Sequence, residues 1–439
     1  MTDTAARDTP ADATDALAAE LDAADPLAAH TSAFVRGGDV VSYLDGNSLG
    51  RPLADLPERF AGFVGDDWGA RLIRSWDEQW MRRPYDLGDR IGALVGAASG
   101  QCFVGDSTTV LLYKLVRAAV DAPWLRADER RREIVIDDDN FPTDRFIVEG
   151  VAAERGMTIR WIETDPAAGV TLEQVQEAVG ERTALVLLSH VAYRSGFLAD
   201  MAGITAAAHE AGALVLWDLC HSAGVIPTEL DASGVDLAVG CSYKYLNGGP
   251  GSPAFGYVAE RLQAELAQPI QGWMGAADVF GMERSYRAAP DVRRFVSGTP
   301  PVLATVALEA MVELIERVGM PAIRAKSVAL TDFAEAALRE HVLGERGLGD
   351  RAGAAAPAVL ASPPAGPHRG SHLTIAHPAF AAVNARLWQR GVIPDFRAPD
   401  GIRIGLSPLS TTFAEVELGI AALGQELREQ LRSEARPAR

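Results

Sequence analysis

The chain has 439 residues, 48% of them apolar and 23% charged, which exceeds what one hydrophobic core supports, excludes a disordered or stapled miniature, and predicts two globular domains. Its 41 basic and 59 acidic residues leave a net charge of −18, a field that repels phosphate backbones and acidic lipid and so argues against nucleic acid and membrane as partners. Cys102, Cys220 and Cys241 stand far apart in sequence with no Cys-x-x-Cys pair, against a disulfide framework or zinc knuckle and in keeping with a reducing, cytoplasmic setting.

Along the chain, Met1 to Asp25 is rich in Ala and Asp without a basic start or apolar run; it reads as a tail entering a short helix and not as a signal. Residues 40–44 form a plausible strand. From about Trp68 to Ser242 short β-branched runs alternate with amphipathic stretches. The runs are 133–137, 158–162, 184–188, 213–217 and 235–239, and helical spacing fills 144–155 and 204–211. Such alternation predicts an α/β fold with a doubly wound, mostly parallel sheet, whose ligands sit at the carboxyl ends of the strands. Helices over 305–318 and 323–341 follow, then a surface loop over 344–370 heavy in Gly, Ala and Pro. Residues 371–375, 378–390 and 402–406 then read as strand, helix and strand of a smaller closing α/β unit. No apolar stretch approaches the roughly 18 residues that span a bilayer.

Three segments carry chemistry. In Cys241-Ser-Tyr-Lys-Tyr-Leu-Asn-Gly-Gly-Pro-Gly251 a lysine follows a buried strand and precedes a glycine-rich turn. Lys244 is either a surface lysine at a strand end or a Schiff-base lysine, whose amine loses its proton on partial burial and bonds to an aldehyde. Asp218 ends another apolar run, Val215-Leu-Trp-Asp218; alone it reads as a turn former, but set beside Lys244 it fits the acid that keeps a pyridine nitrogen protonated. The two together are what pyridoxal phosphate needs. Cys102-Phe-Val-Gly-Asp-Ser-Thr-Thr-Val110 runs from strand to helix, and its free amides near Ser107 either carry a plain cap or hold a phosphate.

These residues lie within a wider resemblance. Tyr43-Leu-Asp-Gly-Asn-Ser-Leu-Gly50, Leu72-Ile-Arg-Ser-Trp76, Asp139-Asn-Phe-Pro-Thr-Asp144, Trp217-Asp-Leu-Cys-His221, Ser242-Tyr-Lys-Tyr-Leu-Asn247, Gln271-Gly-Trp-Met-Gly275, Gly298-Thr-Pro-Pro301 and Gly401-Ile-Arg-Ile-Gly405 are similar to the motifs of kynureninases, pyridoxal-phosphate enzymes of fold type I. The resemblance implies hydrolysis of L-kynurenine to anthranilate and L-alanine, with pyridoxal 5'-phosphate bonded to Lys244 and its pyridine nitrogen paired with Asp218. It further implies that Phe141 stacks on the ring, that Asp144, Ser189 and His221 line the cofactor, and that Thr108, Thr109 and Tyr243 hold its phosphate. Tyr243 doubles as a proton relay or serves the phosphate alone. Trp273 and Thr299 come from a second subunit, which makes the protein a homodimer. Arg403 grips the substrate's α-carboxylate, with Asn47 and Ser48 beside the substrate. The chain then divides into a segment over 1–50 packing near the small domain, a large cofactor domain over 51–300 and a small domain over 301–439.

The chain departs from many relatives at Met274 and Ala276, where they carry an aromatic residue and a histidine; both positions bear on selectivity. Thr299 favours kynurenine over its 3-hydroxy derivative. Two rivals stay in view: a cysteine desulfurase, which shares the lysine and aspartate logic but needs a cysteine on a mobile loop, and a serine hydrolase with Ser48 in a Gly-x-Ser-x-Gly elbow, which needs a helix where Arg51-Pro52 disfavours one. A protein that binds the cofactor without turnover is a third. No His-Glu-x-x-His pattern occurs, and His372 and His377 at i, i+5 share no helix or strand face, so no metal is expected.

Overall fold

The computed structural model describes residues 13–343 and 357–435; residues 1–12 of the N-terminal tail and residues 344–356 of the expected loop lie outside them. Seven strands make the main sheet, in the order Cys102–Gly105, Ala254–Val258, Leu237–Gly240, Leu214–Asp218, Thr183–Ser189, Glu133–Asp137 and Thr158–Ile162. The last five pair in parallel, while Ala254–Val258 runs antiparallel to both of its neighbours. Two reversals restore direction, so Cys102–Gly105 ends at the same edge as Leu237–Gly240.

The interior strands bury residues on both faces, which is why they read as continuous apolar runs. The helix Thr108–Val120 lies across one face, burying Leu111, Leu112, Leu115 and Val116 at helical spacing. The expected strands appear within one or two residues of their places, and the helix Thr305–Val318 has the predicted limits. The strand Ala254–Val258 was not anticipated. Between Trp68 and Cys102 the chain forms no strand: the widened helical turns Phe63–Ala70 and Trp76–Trp80, held by the Phe63, Trp76 and Trp80 rings, lead into the helix Arg83–Leu94.

A four-stranded antiparallel sheet, ordered Asp395–Arg397, Gly401–Gly405, His372–Ala376 and Val359–Leu360, carries a second core with the helices Met320–Leu338, Phe380–Gln389 and Phe413–Glu434. The N-terminal helix Ala13–Ala24 joins this core through Ala18, and Asp22 caps Phe413–Glu434 by accepting from the amides of Phe413 and Ala414 at 2.8 and 2.9 Å. Ser42–Tyr43 pairs in parallel with Val392–Ile393. The changeover between cores falls inside Met320–Leu338, where Ile323 belongs to the larger and Leu330 to the smaller. Thr305–Val318 packs in the larger core. Among the described residues no helix is long and apolar enough to cross a membrane.

Candidate active site

Strand direction concentrates the chemistry at one edge. Asp137, Ser189 and Asp218 end three neighbouring strands, Lys244 follows Leu237–Gly240, and Ser107 to Thr109 follow Cys102–Gly105. The lysine's loop is a tight turn: Asn247 adopts φ +46 with its amide on Lys244 O at 2.9 Å, and Gly248 N donates to Ser242 O at 2.8 Å. The 45–50 turn docks on it. Gly50 N donates to Tyr243 O at 3.0 Å, and a Cβ on Gly50 would fall 2.0 Å from Asn247 Oδ1, so only glycine allows the contact. This joins two motifs that sequence leaves 200 residues apart.

The chain has three lysines, Lys114, Lys244 and Lys326. Lys114 pairs with Asp106 at 3.0 Å and Lys326 with Asp25 at 2.7 Å. Lys244, buried, meets no acid: its Nζ lies 3.2 Å from His221 Nε2 and 5.6 Å from the centre of the Phe141 ring. His221 is held well below its usual value by burial, then by the charges of Lys244 and Arg403, so it is a neutral partner. Asp144, in the first turn of Pro142–Arg155, touches Asp218 and keeps its proton far above the carboxylate range because burial, Asp218 and Asp137 all oppose its charge. Burial likewise pushes Asp137 up to about 7. Asp218 Oδ1 accepts from Cys220 N at 2.7 Å.

Two buried atoms around this cluster have no partner: Asp144 Oδ2 and His190 Nδ1. Buried polar atoms are rarely left so unless a ligand completes them. The residues therefore fit pyridoxal phosphate: an amine free of acid for its aldehyde, carboxyls for its nitrogen, an aromatic ring beside the amine, and a helix start for its phosphate. Ser107 caps Thr108–Val120 by accepting from Val110 N at 3.4 Å, leaving Thr108 half-buried and Thr109 exposed at that start. Ser189 spends its hydroxyl on Asn140 Oδ1 at 2.9 Å, which also accepts from Phe141 N at 2.7 Å and so fixes the turn that presents Phe141. The Tyr243 phenol is half-buried beside Cys241, and burial pushes it up and keeps it protonated.

The opposite wall comes from the small sheet. Arg403 is 1% exposed. Its Nη1 donates to Tyr193 O at 2.8 Å, its Nη2 to Ser48 Oγ at 2.7 Å, and Nη2 also pairs with Asp395 Oδ2 at 2.8 Å. With the Asn47 amide set to satisfy both neighbours, its oxygen accepts from Arg403 Nε at 2.9 Å and its nitrogen donates to Asp45 Oδ1 at 3.2 Å. Gly405 must lack a side chain here, since a Cβ would fall 1.8 Å from Asn47 Oδ1. Asp395 and Asp45 were not singled out from sequence; Asp395 faces Arg403 only through the register of two strands, a pairing no local pattern announces.

Trp273 is 40% exposed and Thr299 lies on the surface. No hydrogen bond or ring contact ties either to the Lys244 cluster among the described residues. Met274 is buried in the chain's own large core. The chain after Ser48 is not helical until Leu56, so the hydrolase elbow is absent. All three cysteines are buried and free. Cys220 and Cys241, remote in sequence, are neighbours in space, with Cys241 N donating to Cys220 Sγ at 3.2 Å. None sits on a mobile loop as a desulfurase would require.

The chain is similar to known proteins over nearly its whole length. The Aminotransferase class-V profile matches residues 104–356 and the Kynureninase C-terminal domain profile residues 323–423. A kynureninase of Pseudomonas fluorescens is 40% identical over 411 residues, 93% of this chain and 94% of that one. One from Burkholderia pseudomallei is 40% identical over 399 residues, 90% of this chain and 91% of the relative. Among solved structures, the apo cysteine desulfurase of Thermococcus onnurineus NA1 superposes with a TM-score of 0.74 at 17% identity, covering 88% of this chain and 95% of that chain. The cystine C-S lyase C-DES in complex with cysteine persulfide gives 0.73 at 18%, covering 88% and 98%; both share the fold alone. With an acid-free lysine on one wall of its cleft, a buried arginine on the other, and these relatives across nine-tenths of its length, the chain belongs to the kynureninase family.

Proposed function

We infer that the protein hydrolyses the Cβ–Cγ bond of L-kynurenine, releasing anthranilate and L-alanine. The observation that carries this reading is 40% identity to kynureninases over 93% of the chain, joined to a cleft that offers an amine and an arginine to the two ends of an amino acid.

Pyridoxal phosphate, when bound, supplies an aldehyde that links to an amine and a ring that draws electrons from it. Lys244 would hold it and would serve as the base at the substrate's α-carbon, with neutral His221 at 3.2 Å to take a hydrogen bond. Asp218 pairs with the pyridine nitrogen. Asp144, holding its proton, donates to Asp218 and does not repel it. Phe141 packs against the ring, while Thr108, Thr109 and Tyr243 hold the phosphate. The protonated Tyr243 phenol would also relay a proton to the β-carbon, which stays with the amino acid and becomes the alanine methyl group. Arg403, steadied by Asn47 and Ser48, draws in the α-carboxylate. The oxygen of the consumed water ends on the anthranilate carboxyl group and its hydrogen on the alanine methyl group, so the atoms balance.

The working unit is a homodimer in the cytoplasm, in which Trp273 and Thr299 reach the partner's site. Their exposure supports this, as does an apolar groove of about 780 Å³ between Val35, Leu56, Phe60 and Leu303. Thr299 favours kynurenine over the 3-hydroxy compound. Incubation with L-kynurenine is expected to yield anthranilate fluorescence and alanine in equal amounts; no anthranilate from wild-type protein loaded with pyridoxal phosphate overturns the assignment.

A further inference from the structure

Lys114 carries a charge into the interior of the large domain. It stands in the second turn of the helix Thr108–Val120 and is fully buried, a place where an ammonium needs partners. Three groups meet it: its Nζ pairs with Asp106 Oδ2 at 3.0 Å, donates to the Phe295 carbonyl, and lies 6.0 Å from the centre of the Phe103 ring. Burial pulls the amine down, and Asp106 is the acid that opposes this. Neither residue takes part in the chemistry of the cleft.

Asp106 is held in a costly shape. It adopts φ +49, in the left-handed region where a residue with a side chain is strained unless its surroundings fix it. It forms the link between the strand Cys102–Gly105 and the helix, and both of its ends are tied: its carbonyl accepts from Ala254 N at 3.1 Å, and its carboxylate is taken by Lys114. Ser107 follows as the cap. The turn therefore aims the first amides of the helix, at Thr108 and Thr109, which have no acceptor inside the helix. Its charge is ill placed for an anion. A free carboxylate two residues before Thr108 would repel a phosphate bound at that helix start.

We propose that Lys114 is a positioning residue for the cofactor phosphate: acting through Asp106, it fixes the turn that aims the helix start and cancels the acid's charge. The proposal rests on the assignment of the phosphate to Thr108 and Thr109 given above. Without Lys114, Asp106 leaves its left-handed conformation in the free protein, and binding must restore it beside a carboxylate that nothing neutralises. Both effects act at the phosphate. A ligand that lacks the phosphate is indifferent to Lys114.

Titration of the full chain, freed of cofactor by dialysis, with pyridoxal phosphate and with pyridoxal, which carries the same aldehyde and ring but no phosphate, tests it; the visible absorbance of the bound ligand is the readout. Lys114→Met is expected to weaken pyridoxal phosphate by about tenfold and pyridoxal by less than about twofold, as the loss of one charge-assisted contact predicts. Adding Asp106→Gly removes strain and acid together, so the double variant is expected to bind pyridoxal phosphate within about threefold of wild type. Equal weakening of both ligands by Lys114→Met, or of neither, overturns the proposal, as does a tenfold loss that persists in the double variant. Should Lys114→Met fail to fold, Lys114→Gln, which keeps a donor for the Phe295 carbonyl but no charge, is read in the same way, with the same selective loss expected and the same outcomes against it. The wild type separates the two levels. If it binds pyridoxal as tightly as pyridoxal phosphate, the phosphate reading itself fails; if it prefers pyridoxal phosphate and Lys114→Met leaves that preference intact, Lys114 alone falls.

Discussion

At the edge of the main sheet, the wall bearing Lys244 leaves Asp144 Oδ2 and His190 Nδ1 without partners. Across the cleft, the wall bearing Arg403 closes its guanidinium through Asn47, Ser48, Asp45 and Asp395. The two walls bury charge in opposite ways. An arginine must stay ionised, so the chain surrounds it with acceptors of its own. A lysine that has to lose its proton and bond to an aldehyde is better served by a neutral imidazole than by an acid, and its neighbours are completed by the cofactor.

Breaking the open wall gives the largest effect. Asp218→Ala is expected to lower kcat by about a hundredfold or more with little change in melting temperature, because the open wall serves chemistry more than fold; an unchanged kcat removes Asp218 from the pyridine nitrogen. Breaking the closed wall shows instead as stability. Arg403→Met leaves Asp395 with Arg397 alone, 2.6 Å away, and is expected to cost about 2 kcal/mol in denaturant unfolding; a cost below about 1 kcal/mol would mean that Arg397 and water suffice for the acid.

Asp45 sharpens the same contrast. Burial, then Asp395, raises it from 3.8 to about 6, so the folded chain holds a proton that the unfolded chain has released. The stability this brings is present below about pH 4 and is lost as pH rises through about 6, amounting to at most about 3 kcal/mol. Asp45→Asn is expected to flatten this part of the stability profile; an unaltered profile shows that Asp45 is ionised throughout. The smallest effect belongs to the helix start: Ser107→Ala removes one cap and is expected to cost about 1 kcal/mol, with weaker retention of pyridoxal phosphate on dialysis. Unchanged retention would separate the cap from the phosphate.

Much of this was legible in the amino acids. The parallel strands announce themselves as apolar runs, and Lys244 and Asp218 stand out because each ends such a run beside a turn. The strand Ala254–Val258 was hidden by Gly256, which interrupts its pattern; a Cβ there would fall 2.7 Å from the Phe103 ring, so packing against the neighbouring strand dictates the glycine. Asp395 and Asp45 escaped because they reach Arg403 through strand register and a docked turn. His372 was weighed only as a metal ligand with His377. Its burial between two walls depends on how the small sheet meets the large one, which local spacing does not encode.

The central claim is that Lys244 alone among three lysines holds the cofactor. Loading the protein with pyridoxal phosphate, reducing it with borohydride and mapping peptides by mass spectrometry tests this most directly. The account predicts a pyridoxyl increment on the peptide containing Lys244 and none on those with Lys114 or Lys326, which are paired with Asp106 and Asp25. An increment on either of those, or on no lysine, would contradict it.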